Sequence, residues 1–158
     1  MKTLIVYYSR TGKTRKIGQI LGEELKCDAE EIFDTKNRMG FWGWLRSGRD
    51  AMRRKLTIIR PAQYSPYDYD LTIMGTPDWG GMPAPAIRTY ITQNINNFKK
   101  VAFFCTYGGS GVDKVFIELE KICGQPPVAL LDIRTAEVDK DLFSVKIKQF
   151  VDTTKSRC

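Results

Sequence analysis

Short apolar runs alternate with longer amphipathic segments along the chain, and this alternation constrains the fold more than any other feature of the sequence. We predict buried strands from the apolar runs at Thr3–Tyr8, Ala29–Phe33, Asp70–Met74, Val101–Cys105 and Val128–Ile133. We predict helices from the helical spacing of apolar residues in Thr14–Leu25, Ala84–Ile95, Val112–Cys123 and Lys140–Thr153. Alternating strands and helices favour a parallel sheet with helices on both faces. The sequence therefore predicts a doubly wound α/β fold with five strands in the order 2-1-3-4-5.

The composition fits one domain over residues 1–158, with 42% hydrophobic and 27% charged residues. The early apolar run is far shorter than the roughly 20 residues that span a bilayer, so we expect no transmembrane segment and a cytoplasmic location. The four cysteines form no CxxC pair and the chain contains no histidine. These facts exclude a Cys/His zinc site and a catalytic Ser-His or Cys-His pair.

Ligands of doubly wound sheets bind beyond the carboxyl ends of the strands, where three unusual loops follow strands 1, 3 and 4. The first, loop 1, comprises Ser9, Arg10, Thr11, Gly12, Lys13 and Thr14. Its hydroxyls and backbone N–H groups surround a helix N-terminus, which predicts a phosphate site. An ordinary helix cap is the alternative. A Walker A motif is excluded because Tyr7 stands where that motif needs its first glycine, and GxGxxG is absent.

The other two loops combine glycines with large aromatic residues. Loop 2 follows strand 3 and comprises Gly75, Thr76, Pro77, Asp78, Trp79, Gly80, Gly81, Met82 and Pro83. Loop 3 follows strand 4 and comprises Thr106, Tyr107, Gly108, Gly109, Ser110 and Gly111. Trp79 and Tyr107 offer faces for a flat ligand, whereas the alternatives are a tryptophan folded onto the core and a flexible turn. A phosphatase is excluded because Gly111 stands where its loop needs an arginine after Cys105. Taken together, the three loops predict a phosphorylated planar cofactor, FMN.

The three motifs SRTGKT, TPDWGG with the following MPAP, and TYGGSG resemble, in this order, the flavin loops of flavodoxins. The resemblance covers essentially the whole chain and implies a flavodoxin-like fold that binds FMN and transfers electrons. It implies that the phosphate is held by Ser9, Arg10, Thr11, Gly12, Lys13 and Thr14. It implies that the isoalloxazine is flanked by Thr76, Pro77, Asp78, Trp79, Gly80, Thr106, Tyr107, Gly108, Gly109 and Gly111.

The chain departs from the usual flavodoxin in its charge. Flavodoxins are usually acidic, whereas this chain carries a net charge of +7. Residues 36–60 contain eight basic residues and one acidic residue, so this segment accounts for the whole net charge. Within it we predict a helix over Phe41–Leu56 and expect an acidic redox protein to dock on the segment. A plain surface helix and a membrane-surface helix are the alternatives, and nucleic acid is disfavoured because no recognition motif is present.

The leading functional hypothesis is an electron carrier, because the sequence contains no second nucleotide motif. The first alternative is an FMN-dependent NAD(P)H:quinone or nitro reductase, which needs no separate nucleotide site when both substrates bind in turn over one flavin. The second alternative is a binding module that has kept the fold without the flavin. No catalytic residue and no metal ligand is predicted.

Overall fold

The computed structural model describes residues 1–35, 45, 49 and 56–157. The described strands are β1 (Thr3–Tyr7), β2 (Asp28–Glu31), β3 (Leu71–Pro77), β4 (Lys100–Tyr107) and β5 (Leu130–Arg134). The described helices are α1 (Lys13–Leu25), α2 (Pro85–Gln93), α3 (Val112–Cys123), α4 (Thr135–Asp139) and α5 (Ser144–Arg157), with a short 3-10 turn over Pro66–Asp68. The helix predicted over Phe41–Leu56 lies outside the described residues, except for Leu45, Arg49 and Leu56, which are exposed.

The five described strands form one parallel sheet in the order β2-β1-β3-β4-β5, which confirms the predicted topology. Helices cover both of its faces, and the alternation of residues along β1 shows how. Leu4 and Val6 pack on one face with residues of α2 and α3. Ile5 and Tyr7 pack on the other face with residues of α1 and α5. Because successive strand residues point to opposite faces, a strand covered on both sides is buried at every residue, as β1 is.

Strands β3 and β4 continue further than the sequence predicts. Pro77 pairs with Thr106, and the Asp78 N–H donates to the Thr106 carbonyl at 2.8 Å. Five residues assigned to loops 2 and 3 therefore belong to the ends of strands: Gly75, Thr76, Pro77, Thr106 and Tyr107. Proline is tolerated at Pro77 because a strand can end there without a further ladder hydrogen bond from that residue. The ends of β3 and β4 thus hold the two loops at a fixed separation.

The region after β5 also differs from the prediction. The helix predicted over Lys140–Thr153 instead begins at Ser144 and continues to Arg157. The residues before it include the separate short helix α4, in which Glu137 accepts the N–H of Arg134, the residue before the helix, at 2.7 Å. Asp141, between the two helices, has a φ of +54°, which ends helical continuity there.

A short antiparallel pair, which we call the stem, joins residues 33–35 to residues 58–60 just beyond β2. Its hydrogen bonds run from the Thr35 N–H to the Ile58 carbonyl at 3.0 Å and from the Arg60 N–H to the Phe33 carbonyl at 2.9 Å. Thr57 ties the stem to the body of the protein, because its N–H donates to Thr89 Oγ1 on α2 at 2.9 Å. The part of the basic segment that lies between the two halves of the stem, residues 36–57, therefore begins and ends near the carboxyl end of β2.

In the part of the chain that the structure describes, no helix is both long enough and apolar enough to cross a membrane.

Candidate functional site

The three loops singled out in the sequence meet at the carboxyl edge of the sheet, where loop 3 contacts both loop 1 and loop 2. Loop 1 reaches loop 3 through the side chains of Thr14 and Thr106, whose hydroxyl oxygens lie 2.8 Å apart. The end of β1 reaches loop 2 through Tyr8, whose ring meets that of Trp79 edge-on at a centroid distance of 5.5 Å. Their convergence was the geometric requirement for one shared ligand site.

Loop 1 delivers the N-terminus of α1 without an ordinary cap. The residue before α1 is Gly12, with a φ of +91°, and no side chain among the described residues caps the helix. Ser9, the nearest capping candidate, accepts the Gly12 N–H at 3.0 Å and so shapes the loop instead. The first turn of α1 contains basic residues and no acidic residue. The partial positive charge of the helix end therefore remains available to an anion, which argues against the ordinary cap that the sequence left open.

Two lysines at the start of α1 are paired with the segment around α4. Lys13 Nζ forms an ion pair with Asp139, the last residue of α4. One turn further along α1, Lys16 Nζ lies 2.6 Å from Asp141. The carboxylates of the α4 segment therefore lie beside the phosphate subsite predicted from the sequence.

Loop 2 is a turn closed around the Asp78 carboxylate. Asp78 Oδ1 accepts the Gly81 N–H at 2.6 Å, and the Trp79 N–H donates to the Met82 carbonyl at 3.0 Å. Burial raises the pKa of Asp78, and the N–H groups of Gly81 and Met82 partly oppose that shift. Thr76 braces the loop from beneath, since its fully buried hydroxyl accepts the Ala84 N–H at 2.9 Å.

The two aromatic residues of the predicted site are both held by neighbours. Trp79 is 9% exposed and belongs to the hydrophobic cluster on the face of α2 and α3, as the core-folded alternative expected. Tyr107 is also largely buried, and its hydroxyl donates to Asp132 Oδ2 at 3.1 Å. Arg134 adds a longer hydrogen bond from Nε to that hydroxyl, at 3.4 Å, with its guanidinium carbon 5.9 Å from the ring centroid. Both rings therefore have defined positions at the rim of the site.

Three glycines at the sheet edge leave room for a ligand, whereas a glycine inside the fold does not. A Cβ built on Gly12, Gly108 or Gly109 would meet no described atom within 4 Å. A Cβ on Gly75, in contrast, would lie 2.0 Å from the ring of Phe104. Open glycines beside hydroxyls, backbone N–H groups and cations form a donor set that suits a phosphate, with aromatic rims for a flat ring.

Sequence reasoning missed several residues that shape this edge. Tyr8 was predicted as the last residue of the first strand and gave no separate signal, yet it follows the end of β1 at Tyr7 and contacts Trp79. Asp132 and Arg134 on β5 hold Tyr107, and Asp139 pairs with the loop 1 lysine. Asp132 and Arg134 lie at the carboxyl end of a predicted strand, so the rule that found loops 1, 2 and 3 would have found them as well.

Solved structures similar to this chain are flavoproteins and flavodoxins. A crystal structure of a flavoprotein from Lactobacillus acidophilus in complex with FMN is 27% identical with a TM-score of 0.74, covering 88% of this chain and 97% of that chain. The NMR structure of the apo-form of the flavoprotein from the same organism is 26% identical, with a lower TM-score of 0.64, covering 88% and 95%. Oxidised flavodoxin 1 from Bacillus cereus is 17% identical with a TM-score of 0.54, covering 98% of each chain. No protein-family model matches the chain, and no match is found among curated proteins.

Proposed function

We propose that this chain, a protein with the flavodoxin-like fold, binds FMN non-covalently on loops 1, 2 and 3 and uses it to carry electrons. The observation that carries the proposal is that loop 3 contacts both loop 1 and loop 2 at the edge of the sheet where the uncapped N-terminus of α1 lies. The similar flavoprotein from Lactobacillus acidophilus, which was solved in complex with FMN, supports the same cofactor.

The phosphate is assigned to loop 1. Ser9, Thr11 and Thr14 bring hydroxyls, Arg10 and Lys13 bring positive charge, and the end of α1 brings free N–H groups. Thr14 is 2% exposed and bonded to Thr106, so its main contribution is to fix loop 1 against loop 3. Ser9 likewise shapes the loop through Gly12, which leaves Thr11, the cations and the backbone as the groups that face an anion.

The ring system is assigned to the space between loops 2 and 3. Pro77, Trp79 and Gly80 would flank the ring on one side and Tyr107, Gly108 and Gly109 on the other, while Asp78 and Gly111 lie against each other and join the two loops. Thr76 and Thr106 lie at the strand ends, where their buried hydroxyls hydrogen-bond to Ala84 and Thr14 and so support the loops. When bound, FMN supplies one- and two-electron chemistry, and the protein sets its electronic environment and its access to solvent.

FMN titration of the purified protein, followed by visible absorbance and quenching of flavin fluorescence, tests the binding proposal. The Gly12→Ala variant should bind FMN at least about tenfold more weakly, because it strains the left-handed residue that presents the α1 N-terminus. Gly124→Ala is the matched control, since Gly124 has a φ of +69°, equally open space and a position at the far end of α3. A colourless protein that fails to take up FMN would instead favour the binding-module alternative.

Anaerobic mixing of the FMN-loaded protein with NADPH separates a carrier from a reductase. A carrier should show slow or no loss of flavin absorbance in the absence of a protein partner. Rapid bleaching by NADPH alone would establish the NAD(P)H:quinone or nitro reductase alternative.

We also propose that an acidic redox protein docks beside the stem. In the stem the paired residues Asp34 and Ile59 are partly buried, while Phe33, Ile58 and Arg60 are exposed. Phe33 is 46% and Ile58 73% exposed, and the Arg60 guanidinium lies 5.5 Å from the Phe33 ring centroid. An apolar patch with an arginine, at the root of the segment that carries the net charge, suits an acidic partner with an apolar contact. The exposed position of the stem beside β2 brings that partner to the edge of the sheet where the flavin is assigned.

Charge reversal at the stem tests this docking surface. Arg60→Glu should slow electron transfer from a reduced acidic ferredoxin several-fold at low ionic strength, and added salt should reduce the difference. Lys121→Glu is the control, because Lys121 is an exposed cation in the last turn of α3, at the opposite edge of the sheet. Equal slowing by both variants would mean that the net charge of the protein causes the effect, and it would contradict a specific docking surface at the stem.

The proposed setting is cytoplasmic. The described cysteines Cys27, Cys105 and Cys123 are all free thiols, which favours a reducing compartment.

A further inference from the structure

Three carboxylates of the segment after β5 each pair with a lysine from another element. Glu137 pairs with Lys146 of α5 at 3.1 Å, and Asp141 pairs with Lys16 of α1 at 2.6 Å. Asp139 pairs with Lys13, the first residue of α1 and the lysine of loop 1. Of these three lysines, only Lys13 belongs to the loop that is assigned to the phosphate.

The pairing of Lys13 sets two anions in competition for one cation. The side chain of Lys13 is about one-third exposed and that of Asp139 more than half exposed, so water screens their attraction and the pair is easily broken. A phosphate group held at the N-terminus of α1 carries more charge than one carboxylate and gains the helix end as well. Binding of the phosphate then requires Lys13 to leave Asp139, and the cost of that exchange lowers the affinity.

We propose that Asp139 is a specificity-determining residue of the phosphate subsite, which competes with the flavin phosphate for Lys13. Asp139 thereby sets how strongly the site prefers a phosphorylated flavin to an unphosphorylated one. The inference rests on the proposed function, because it requires that loop 1 holds the phosphate of FMN.

The neighbouring pair of Lys16 and Asp141 provides a matched control. Asp141→Asn removes the same charge from the same segment as Asp139→Asn, but it releases a lysine one turn further along α1. Asparagine also suits position 141, because it tolerates the φ of +54° found there. Any general effect of a more positive surface is therefore common to both variants, and the difference between them reports the release of Lys13.

The test compares dissociation constants for FMN and for riboflavin, which lacks the phosphate, in wild type, Asp139→Asn, Asp141→Asn, Lys13→Met and the Lys13→Met/Asp139→Asn double variant. Asp139→Asn should tighten FMN binding about threefold relative to Asp141→Asn, the size expected from release of an exposed ion pair. Riboflavin affinity should be the same in both. In the Lys13→Met background, Asp139→Asn should tighten FMN binding no more than Asp141→Asn does in the wild-type background. Isothermal titration with inorganic phosphate should rank the single variants in the same order.

Equal FMN affinities for Asp139→Asn and Asp141→Asn would overturn the inference, as would weaker FMN binding by Asp139→Asn, which would mean that Asp139 positions Lys13 for the phosphate. Persistence of the full effect without Lys13 would also overturn it. If wild type binds riboflavin and FMN equally, the assignment of the phosphate to loop 1 fails. If it binds neither flavin, the proposed function itself fails.

Discussion

Helices α1 and α3 begin in the same way at the same edge of the sheet, yet only α1 suits an anion. Each follows a glycine in the left-handed region, Gly12 at a φ of +91° and Gly111 at +106°, and neither has a described side-chain cap. The first turn of α1 contains Lys13 and no acidic residue, whereas the first turn of α3 contains Asp113. The space differs as well, because a Cβ on Gly111 would lie 3.3 Å from Asp78 Oδ2, while one on Gly12 would meet no described atom within 4 Å.

This comparison shows that a helix N-terminus becomes a phosphate site only where charge and room permit. The helix dipole is common to both helices, but loop 2, with the Asp78 carboxylate, fills the space at the N-terminus of α3. The end of α3 therefore supports a loop, and the end of α1 is left for a ligand.

The largest expected effect comes from giving α1 the charge of α3. Lys13→Asp places a carboxylate in the first turn of α1 and should weaken FMN binding about 100-fold, because it removes a charge-assisted contact and adds repulsion. Riboflavin binding should change much less. Fluorescence titration of both flavins measures this, with Asp113→Lys as the reverse exchange on α3. Comparable losses of FMN affinity in the two variants would remove the distinction between the helix ends.

The next effect concerns the loop that occupies the end of α3. Gly80 and Gly81 have φ values of +67° and +80°, and a Cβ on Gly81 would approach Lys114 Cδ to 3.2 Å. The double replacement Gly80→Val/Gly81→Val should force loop 2 into another conformation and shift the flavin reduction potential by about 30 mV or more. A spectroelectrochemical titration measures the shift. Unchanged potentials would contradict a role of loop 2 beside the flavin ring.

A smaller effect tests the hydroxyl pair that joins α1 to β4. Thr14→Val should lower the free energy of unfolding by about 1–2 kcal/mol, because the Thr106 hydroxyl, 3% exposed, loses its partner. The double variant Thr14→Val/Thr106→Val should recover part of that loss, since neither position then leaves a lone hydroxyl. Urea unfolding of the two single variants and the double variant gives the coupling. Strict additivity would show that the two hydroxyls do not interact.

The smallest effect is the pH dependence contributed by Asp78 at the end of α3. Burial raises the pKa of Asp78 above the ordinary value of 3.8. At a pH between the pKa of the unfolded state and that of the folded state, the folded state therefore binds more protons than the unfolded state. This contribution to stability is present below the pKa of the unfolded state and is lost as the pH rises through the pKa of the folded state. Thermal unfolding between pH 3 and pH 7 should show the Tm of Asp78→Asn rising relative to the Tm of wild type as the pH increases. Parallel curves would contradict the direction of the shift.

Much of the fold was predictable because its signals are local. The helix predicted over Val112–Cys123 has the same limits in the structure, and the sheet order followed from the alternation of strands and helices. The flavodoxin-like fold that the resemblance implies is confirmed by the similar solved structures. Helix α4 was missed because five residues give no apolar period, and its start depends on a hydrogen bond from the N–H of Arg134, the residue before the helix, to Glu137.

The convergence of the site was also predictable, whereas its contacts were not. Parallel strands bring their carboxyl ends to one edge, so loops 1, 2 and 3 had to meet there. The edge-on contact of Tyr8 with Trp79 and the pairing of Lys13 with Asp139 depend on how separate elements pack. No local pattern encodes them, since the partners of the second pair lie 126 positions apart in the chain.

The hydrogen-bonded stem gives the chain a natural point of division. The Thr35 N–H donates to the Ile58 carbonyl at 3.0 Å, so residues 36–57 begin and end close together. A tight Asn-Gly turn is therefore long enough to join Thr35 to Ile58. A shortened chain of this kind would keep the sheet and the three loops while losing nearly all of the excess positive charge. Grafting segments of other composition onto the same two ends would then let cofactor handling and partner choice be redesigned separately.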